Sequence, residues 1–365
     1  MRILSTVLLV CTVLTTAATA EVPRDGNRFD PAATMTERAE RAPEELDRAR
    51  FLLGQWDVAY ESWAADTLTA KASGHSVITY MNRGYGYMER FHAAGLGGME
   101  LNTIMFLVYN SAAETWVMGV ANSQTENITM ANGNFESDAL VVHNVLRRRG
   151  GAQLTYYRTT WSADGESAFR VQLDTSSDMG KSWSKSVVCS YVRREAADGF
   201  MAGGSDFGEP ASNLPDEARQ FDFLIGEWNE THDMTFPNGQ TAKFPSNGTA
   251  VYCLNGHAVL EYSWYDVDPR VPDHATSIVR IYNRQMRRWE SMYSSNRFNS
   301  VLYFGGAMEG DRIVLHQFDS HTMDVPISQW IFHDWQSDSY KWHGNTSRDR
   351  GKTWQKTWII EGTRR

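Results

Sequence analysis

The chain states most of its sequence twice. Phe51-Leu52-Leu53-Gly54-Gln55-Trp56 returns 172 residues later as Phe223-Leu224-Ile225-Gly226-Glu227-Trp228, and Ser176-x-Asp178-x-Gly180-x-Ser182-Trp183 returns 171 residues later as Ser347-x-Asp349-x-Gly351-x-Thr353-Trp354. Between these landmarks Asn82 and Glu89 meet Asn255 and Glu261, and Tyr109-Asn110 with Trp116 meets Tyr282-Asn283 with Trp289. Each copy closes on paired arginines, Arg193-Arg194 or Arg364-Arg365. A unit of this length is too long for a solenoid or propeller-blade repeat and long enough to bury a core of its own. Two homologous tandem domains are therefore expected, over 51–194 and 223–365, joined by a linker at 195–222.

The segment before the first copy divides in two. Residues 1–20 carry a lone Arg2, an apolar run from Ile3 to Leu14 and Ala18-Thr19-Ala20 before Glu21, the pattern of a signal peptide, so the mature protein is expected to be exported, to a periplasm or beyond the cell. Residues 21–50 are a polar leader whose Glu44-Glu45-Leu46-Asp47-Arg48 predicts a short helix. Without Arg2, 34 basic residues face 44 acidic ones, a net charge of −10 that argues against nucleic acid or an anionic membrane surface as partner. No stretch after the signal approaches the roughly 18 uninterrupted apolar residues of a spanning helix. Only Cys189 and Cys253 lie beyond the signal, at positions that do not correspond between the copies. An exported protein could join them in one disulfide, or both could stay free and buried.

Inside each copy, short β-rich runs such as Thr103 to Tyr109 and Ser277 to Tyr282 alternate with turn signals such as Asn132-Gly133-Asn134, Ala163-Asp164-Gly165 and Glu309-Gly310-Asp311. That texture predicts an all-β protein, an antiparallel sandwich or barrel in each copy. No long amphipathic pattern supplies the helices of a parallel α/β sheet.

Phe-Leu-x-Gly-x-Trp at the head of each copy and arginine at its tail resemble the lipocalin-like, or calycin, barrels. The resemblance implies two tandem antiparallel β-barrels, with Arg193 or Arg194 lying across Trp56 and Arg364 or Arg365 across Trp228. A guanidinium over an indole face is a sound closure, since it adds a cation–π contact and can bond carbonyls at the barrel's end. More narrowly, the order of Phe-Leu-x-Gly-x-Trp, a Leu254-Asn255-Gly256 hairpin followed by Glu261, and Tyr-Asn followed by Trp resembles the uncharacterised bacterial DUF1579 family. The first copy departs from it with Asn82-Arg83-Gly84. Asp178 and Asp349 sit in a pattern similar to the Asp-box of sialidase-like propellers. A box that recurs once in 171 residues, rather than once per blade, is read here as a structural hairpin: Asp bonds backbone amides, Gly takes positive φ and Trp packs beneath.

Function is less determined. Barrels of about eight strands can hold one small ligand, and inward aromatic walls suit a hydrophobic or aromatic molecule. The second copy holds seven of ten histidines and eight of thirteen tryptophans, so it is the expected ligand site. Glu261, Trp264, Trp289 and Trp342 are the candidate binding residues, with Glu89 the equivalent acid of the first copy. An enzymatic alternative of isomerase, cyclase or lyase type would use Glu261 with His257 or His343. A surface-interaction module with filled barrels is the third possibility. His316 and His333, with Asp319, His321 and Asp324 between them, raise a metal or heme site, for which His343 is the late-strand histidine that heme-binding relatives of the barrel class would suggest. Nothing shows the spacing of a metal signature, and no cofactor is expected. No nucleophile elbow, P-loop or dinucleotide fingerprint is present.

Overall fold

The computed structural model describes residues 37–365 apart from 65–66, 97–98, 148–153, 195–207, 237, 266–273 and 319–326. Residues 1–20, where a signal peptide is expected, and the run Asp319 to Asp324 thus lie outside the described residues. The fold is all-β: two tandem closed antiparallel barrels of ten strands each. The first is built from β1 (Gly54–Ala64), β2 (Thr67–Met81), β3 (Gly86–Leu96), β4 (Met99–Asn110), β5 (Thr115–Asn122), β6 (Asn127–Glu136), β7 (Ala139–Arg147), β8 (Leu154–Ala163), β9 (Ala168–Ser176) and β10 (Ser184–Arg193). The second is built from β11 (Gly226–Thr235), β12 (Thr241–Cys253), β13 (Ala258–Tyr265), β14 (His274–Asn283), β15 (Arg288–Ser295), β16 (Ser300–Glu309), β17 (Arg312–Gln317), β18 (Ile327–His333), β19 (Ser339–Ser347) and β20 (Gln355–Arg364). Each barrel is a simple meander, closed by pairing its first strand with its last, Trp56 opposite Arg193 and Trp228 opposite Arg364. Ten strands rather than about eight enclose a wider interior, because barrel diameter grows with strand number.

Both barrels are closed at one end in the same way. The segment Glu44–Leu52 is a 3-10 helix whose Leu46, Ala49 and Leu52 are buried against the first barrel; Phe221 and the turn Asp222–Leu224 do the same for the second. The Trp56 indole N–H donates to Leu52 O at 2.8 Å and that of Trp228 to Leu224 O at 2.6 Å. Arg193 lies 4.3 Å over the Trp56 ring and Arg364 4.4 Å over that of Trp228. Arg193 also donates to Leu53 O, and Arg364 to Ile225 O and Phe223 O, so each arginine ties plug to barrel. The glycine of Gly-x-Trp has a physical reason: at Gly226, φ is +126°, and a Cβ would stand 2.4 Å from the Arg364 guanidinium.

The other repeated motifs are turns at the barrel ends. Asn110 and Asn283 accept backbone N–H bonds from the residues just after them. In the Asp-box hairpins Asp178 accepts from the Ser182 amide at 2.9 Å and Asp349 from the Thr353 amide at 2.8 Å. These bonds, led by the Ser182 and Thr353 hydroxyls, hold both carboxyls below the usual carboxylate range, Asp349 at about 2. Two local expectations are corrected. Asn132-Gly133-Asn134 is not a turn but lies within β6, where Gly133 allows close approach: a Cβ there would meet Val141 O at 2.0 Å. In the β2–β3 turn and its β12–β13 counterpart Asn82 corresponds to Leu254, and Arg83 to Asn255, since these pairs occupy the same two left-handed turn positions.

The barrels pack side by side through a third core, which joins Met88, Ile104 and Phe106 to Leu254, Leu260 and Val279. β4 meets β16 while β6 meets β14, so the interface uses corresponding strands reciprocally, as an isologous dimer does. Asn82 crosses it, donating to Ser294 and accepting from Ser277, and Glu290 accepts the Ile128 amide. Neither Cys189 nor Cys253 is in a disulfide; both are buried, Cys189 in the first barrel's core and Cys253 in this interface.

Candidate functional site

The two interiors differ in substance. In the first barrel Val58, Phe91, Leu107, Phe169 and Tyr191 belong to one packed apolar cluster. Strand register places Glu230, Ser263, Arg280, Tyr340 and Gly362 at the corresponding points of the second. Small or polar residues thus replace packing, and the second barrel contains a cavity of about 940 Å³. Its walls are aromatic, with Trp330, Trp342, Trp358, Phe304, Tyr293 and Phe332 all lining it. Trp330 stacks on Phe304 at 3.8 Å and stands edge-on to Tyr293 and Trp342, which fixes the wall's geometry. The open end, opposite the plug, is bordered by Phe236, Arg297, Phe298 and Arg348, with Asn110 contributed by the first barrel.

Toward the plug the cavity becomes polar. Glu230 is buried and accepts from Tyr340 Oη at 2.7 Å, Ser246 Oγ at 2.6 Å and Ser263 Oγ at 2.9 Å. Behind Ser246 stands His232, with Nε2 2.6 Å from Ser246 Oγ and Nδ1 accepting the Trp358 indole N–H at 2.9 Å. An indole can only donate, so His232 Nδ1 carries a lone pair and its proton sits on Nε2, pointing along the relay to Ser246 and Glu230. Burial, the largest single influence, works to raise the Glu230 carboxyl, but His232 and the hydroxyls of Ser246 and Tyr340 outweigh it and hold the group below its ordinary value. Two glycines make room: a Cβ at Gly248 would meet Glu230 Oε1 at 2.5 Å, and one at Gly362 the Tyr340 ring at 2.1 Å.

Glu261 lines the same cavity. Its Oε2 accepts from Arg280 Nη1 at 2.6 Å, and its carboxyl is raised above the ordinary value by burial, with Glu230's charge adding to the rise and Arg280 opposing it. Arg280 is 1% exposed, and its guanidinium lies 5.1 Å from the Phe221 ring and 5.3 Å from that of Phe332. The acid of the first barrel, Glu89, is buried without such a partner: it accepts from Ser76 at 2.6 Å and Tyr191 at 3.0 Å, and burial raises its carboxyl.

Of the residues singled out in the sequence, Glu261 and Trp342 line the cavity and the others do not. Trp264 alternates with inward-facing Ser263 and so points outward. Trp289 packs on Phe221 under the plug and donates to Gln220 at 3.0 Å. His257 stands in the β12–β13 turn, 3.8 Å from Glu126 of the first barrel. His343 follows Trp342 and faces out, 3.1 Å from His333, where burial and nearby cations lower its pKa to about 4. Among the described residues no three histidine, cysteine or acidic side chains converge to hold a metal ion.

Several solved structures are similar to the chain, among them the following two. A protein of unknown function from the DUF3598 family of Nostoc punctiforme matches with 10% identity over 88% of this chain and 100% of that one, at a TM-score of 0.26. Transferrin binding protein B from Haemophilus parasuis matches with 8% identity over 85% of this chain and 75% of that one, at a TM-score of 0.18. No family model and no curated protein matches the chain, so membership of DUF1579 is unsupported.

Proposed function

We propose that the chain is an exported binding protein that takes up one small molecule with an aromatic or apolar body in its second barrel, the first barrel serving as scaffold. The carrying observation is the contrast at corresponding positions: Val58, Phe91, Leu107 and Phe169 belong to one apolar cluster in the first barrel, whereas Glu230, Ser263, Arg280 and Tyr340 line a cavity of about 940 Å³ in the second. A concave space, mostly apolar by area and walled in part by aromatic rings, with polar groups converging at its floor, is the ordinary form of a small-molecule site. Binding is favoured over catalysis because His257 and His343 stand outside the cavity, while the groups that do line it are taken up by neighbours: Glu261 by Arg280, His232 by Ser246 and the Trp358 indole, and His274 by Ser295. Native mass spectrometry of protein purified from its own source tests the reading. One small molecule retained per chain, and released by organic solvent, is the expected result; a chain that never carries one, and that takes up no hydrophobic fluorophore when offered it, would refute the proposal.

A further inference from the structure

The floor of the cavity carries two carboxylates, Glu230 and Glu261, against one guanidinium, that of Arg280. How their hydrogen-bonding capacity is used decides what the floor offers a ligand. Both oxygens of Glu230 are occupied, Oε1 by Tyr340 and Oε2 by Ser246 and Ser263. Arg280 is withheld by burial: Nη1 goes to Glu261, the guanidinium lies near the rings of Phe221 and Phe332 at the plug, and Nε, which has no hydrogen-bond partner among the described residues, is buried with the rest of a side chain only 1% exposed. Arg280 bonds only Oε2 of Glu261, and that side chain retains 14% exposure against 1% for Arg280. Within an enclosed barrel this exposure is exposure to the cavity. The floor therefore presents a charged acceptor and withholds its cation.

Resting on the reading that this cavity binds a small molecule, we infer that the ligand carries a protonated amine, which docks on Glu261 while its apolar body lies between Trp330, Trp342 and Tyr293. An ammonium would restore charge balance at a floor where one guanidinium faces two carboxylates in a weakly polarisable environment. The aromatic faces around it add cation–π attraction. The opposing feature is the rim, where Arg297 and Arg348 would meet an anion first; both belong to turns at the open end, away from Glu261. A carboxylate-tipped ligand is thus the discriminating control.

Three probes with the same five-methylene spacer answer the question by dansyl fluorescence: dansylcadaverine, which ends in an ammonium, dansyl-aminohexanoate, which ends in a carboxylate, and N-hexyl dansylamide, which ends in a methyl group. The ammonium probe is expected to bind about ten-fold more tightly than the neutral one, and the carboxylate probe more weakly than either, a ten-fold step being about 1.4 kcal/mol. Glu261→Gln should bring the ammonium probe to the affinity of the neutral one, while Glu89→Gln in the first barrel should leave the order intact. Equal affinities for all three, a carboxylate probe that binds best, or an ammonium preference unchanged by Glu261→Gln would overturn the inference and leave the cavity a binding site. Failure of all three probes to bind would remove the binding reading and the inference together.

Discussion

At the scale of single residues, closure depends on Gly226, Trp228 and Arg364 acting as a unit. Gly226→Ala would place a methyl 2.4 Å from the arginine and impose a left-handed φ of +126° on a residue with a side chain. The expected loss is roughly 2 kcal/mol or more, from backbone strain and from displacing the arginine from the indole. Thermal unfolding followed by tryptophan fluorescence would show it; an unchanged transition would mean that the stack contributes nothing. Glu89 gives a prediction in pH. Burial raises its folded-state pKa, so the folded chain binds more protons than the unfolded one at pH values just above the usual carboxylate range. This contribution is favourable at low pH and is lost as pH rises through the raised value. Glu89→Gln keeps an acceptor for Ser76 and Tyr191 and removes the charge. It should raise the unfolding temperature more at pH 8 than at pH 4, and a larger gain at pH 4 would contradict the assignment.

Among the elements, β20 shows how one position trades ring packing for a polar contact. Tyr191 of β10 stacks on Phe169 at 4.1 Å, whereas Gly362, its counterpart, leaves room for Tyr340 to reach Glu230. Gly362→Ala should overpack this point at a cost of about 1–3 kcal/mol and weaken binding of any probe that reaches the floor. Differential scanning calorimetry with and without probe would measure both effects, and a variant as stable and as tight as the parent would show that Tyr340 has other room. The same strand shows what could be read in advance. The repeat comparison exposed residues common to both copies: the Gly-x-Trp with its closing arginine, the Asp-box hairpins, Glu89 with Glu261. These build the barrels, and of them only Glu261 also lines the cavity. The cavity lies where the copies differ, at Val58 against Glu230, Leu107 against Arg280 and Phe169 against Tyr340, and single divergent residues carry no motif. Alternation along β19 separates Trp342 from His343, which is why the histidine expected at the site lies on the outer face. Glycines misled where their reason was close strand approach, as at Gly133, since a turn would use the same residue.

For the whole molecule, the two barrels form one packed body. Leu254 takes a left-handed φ of 54° in its hairpin and is nevertheless buried in the interface, beside Cys253, Leu260 and Val279. Separating the barrels would expose that apolar face and strand Glu290 without the Ile128 amide. Cleavage at a protease site engineered within 195–207 should therefore leave both halves in a single size-exclusion peak; two independent peaks would show that the interface does not hold. The central claim is that one barrel is scaffold and the other container. Titration with N-phenyl-1-naphthylamine, a neutral hydrophobic fluorophore, tests it most directly when parent and Ser263→Phe are compared, since this substitution gives the second barrel the residue that stands as Phe91 in the first. One saturable site per chain, abolished by Ser263→Phe in a protein that still folds, is the predicted result; two equivalent sites, or one site that survives the substitution, would contradict it.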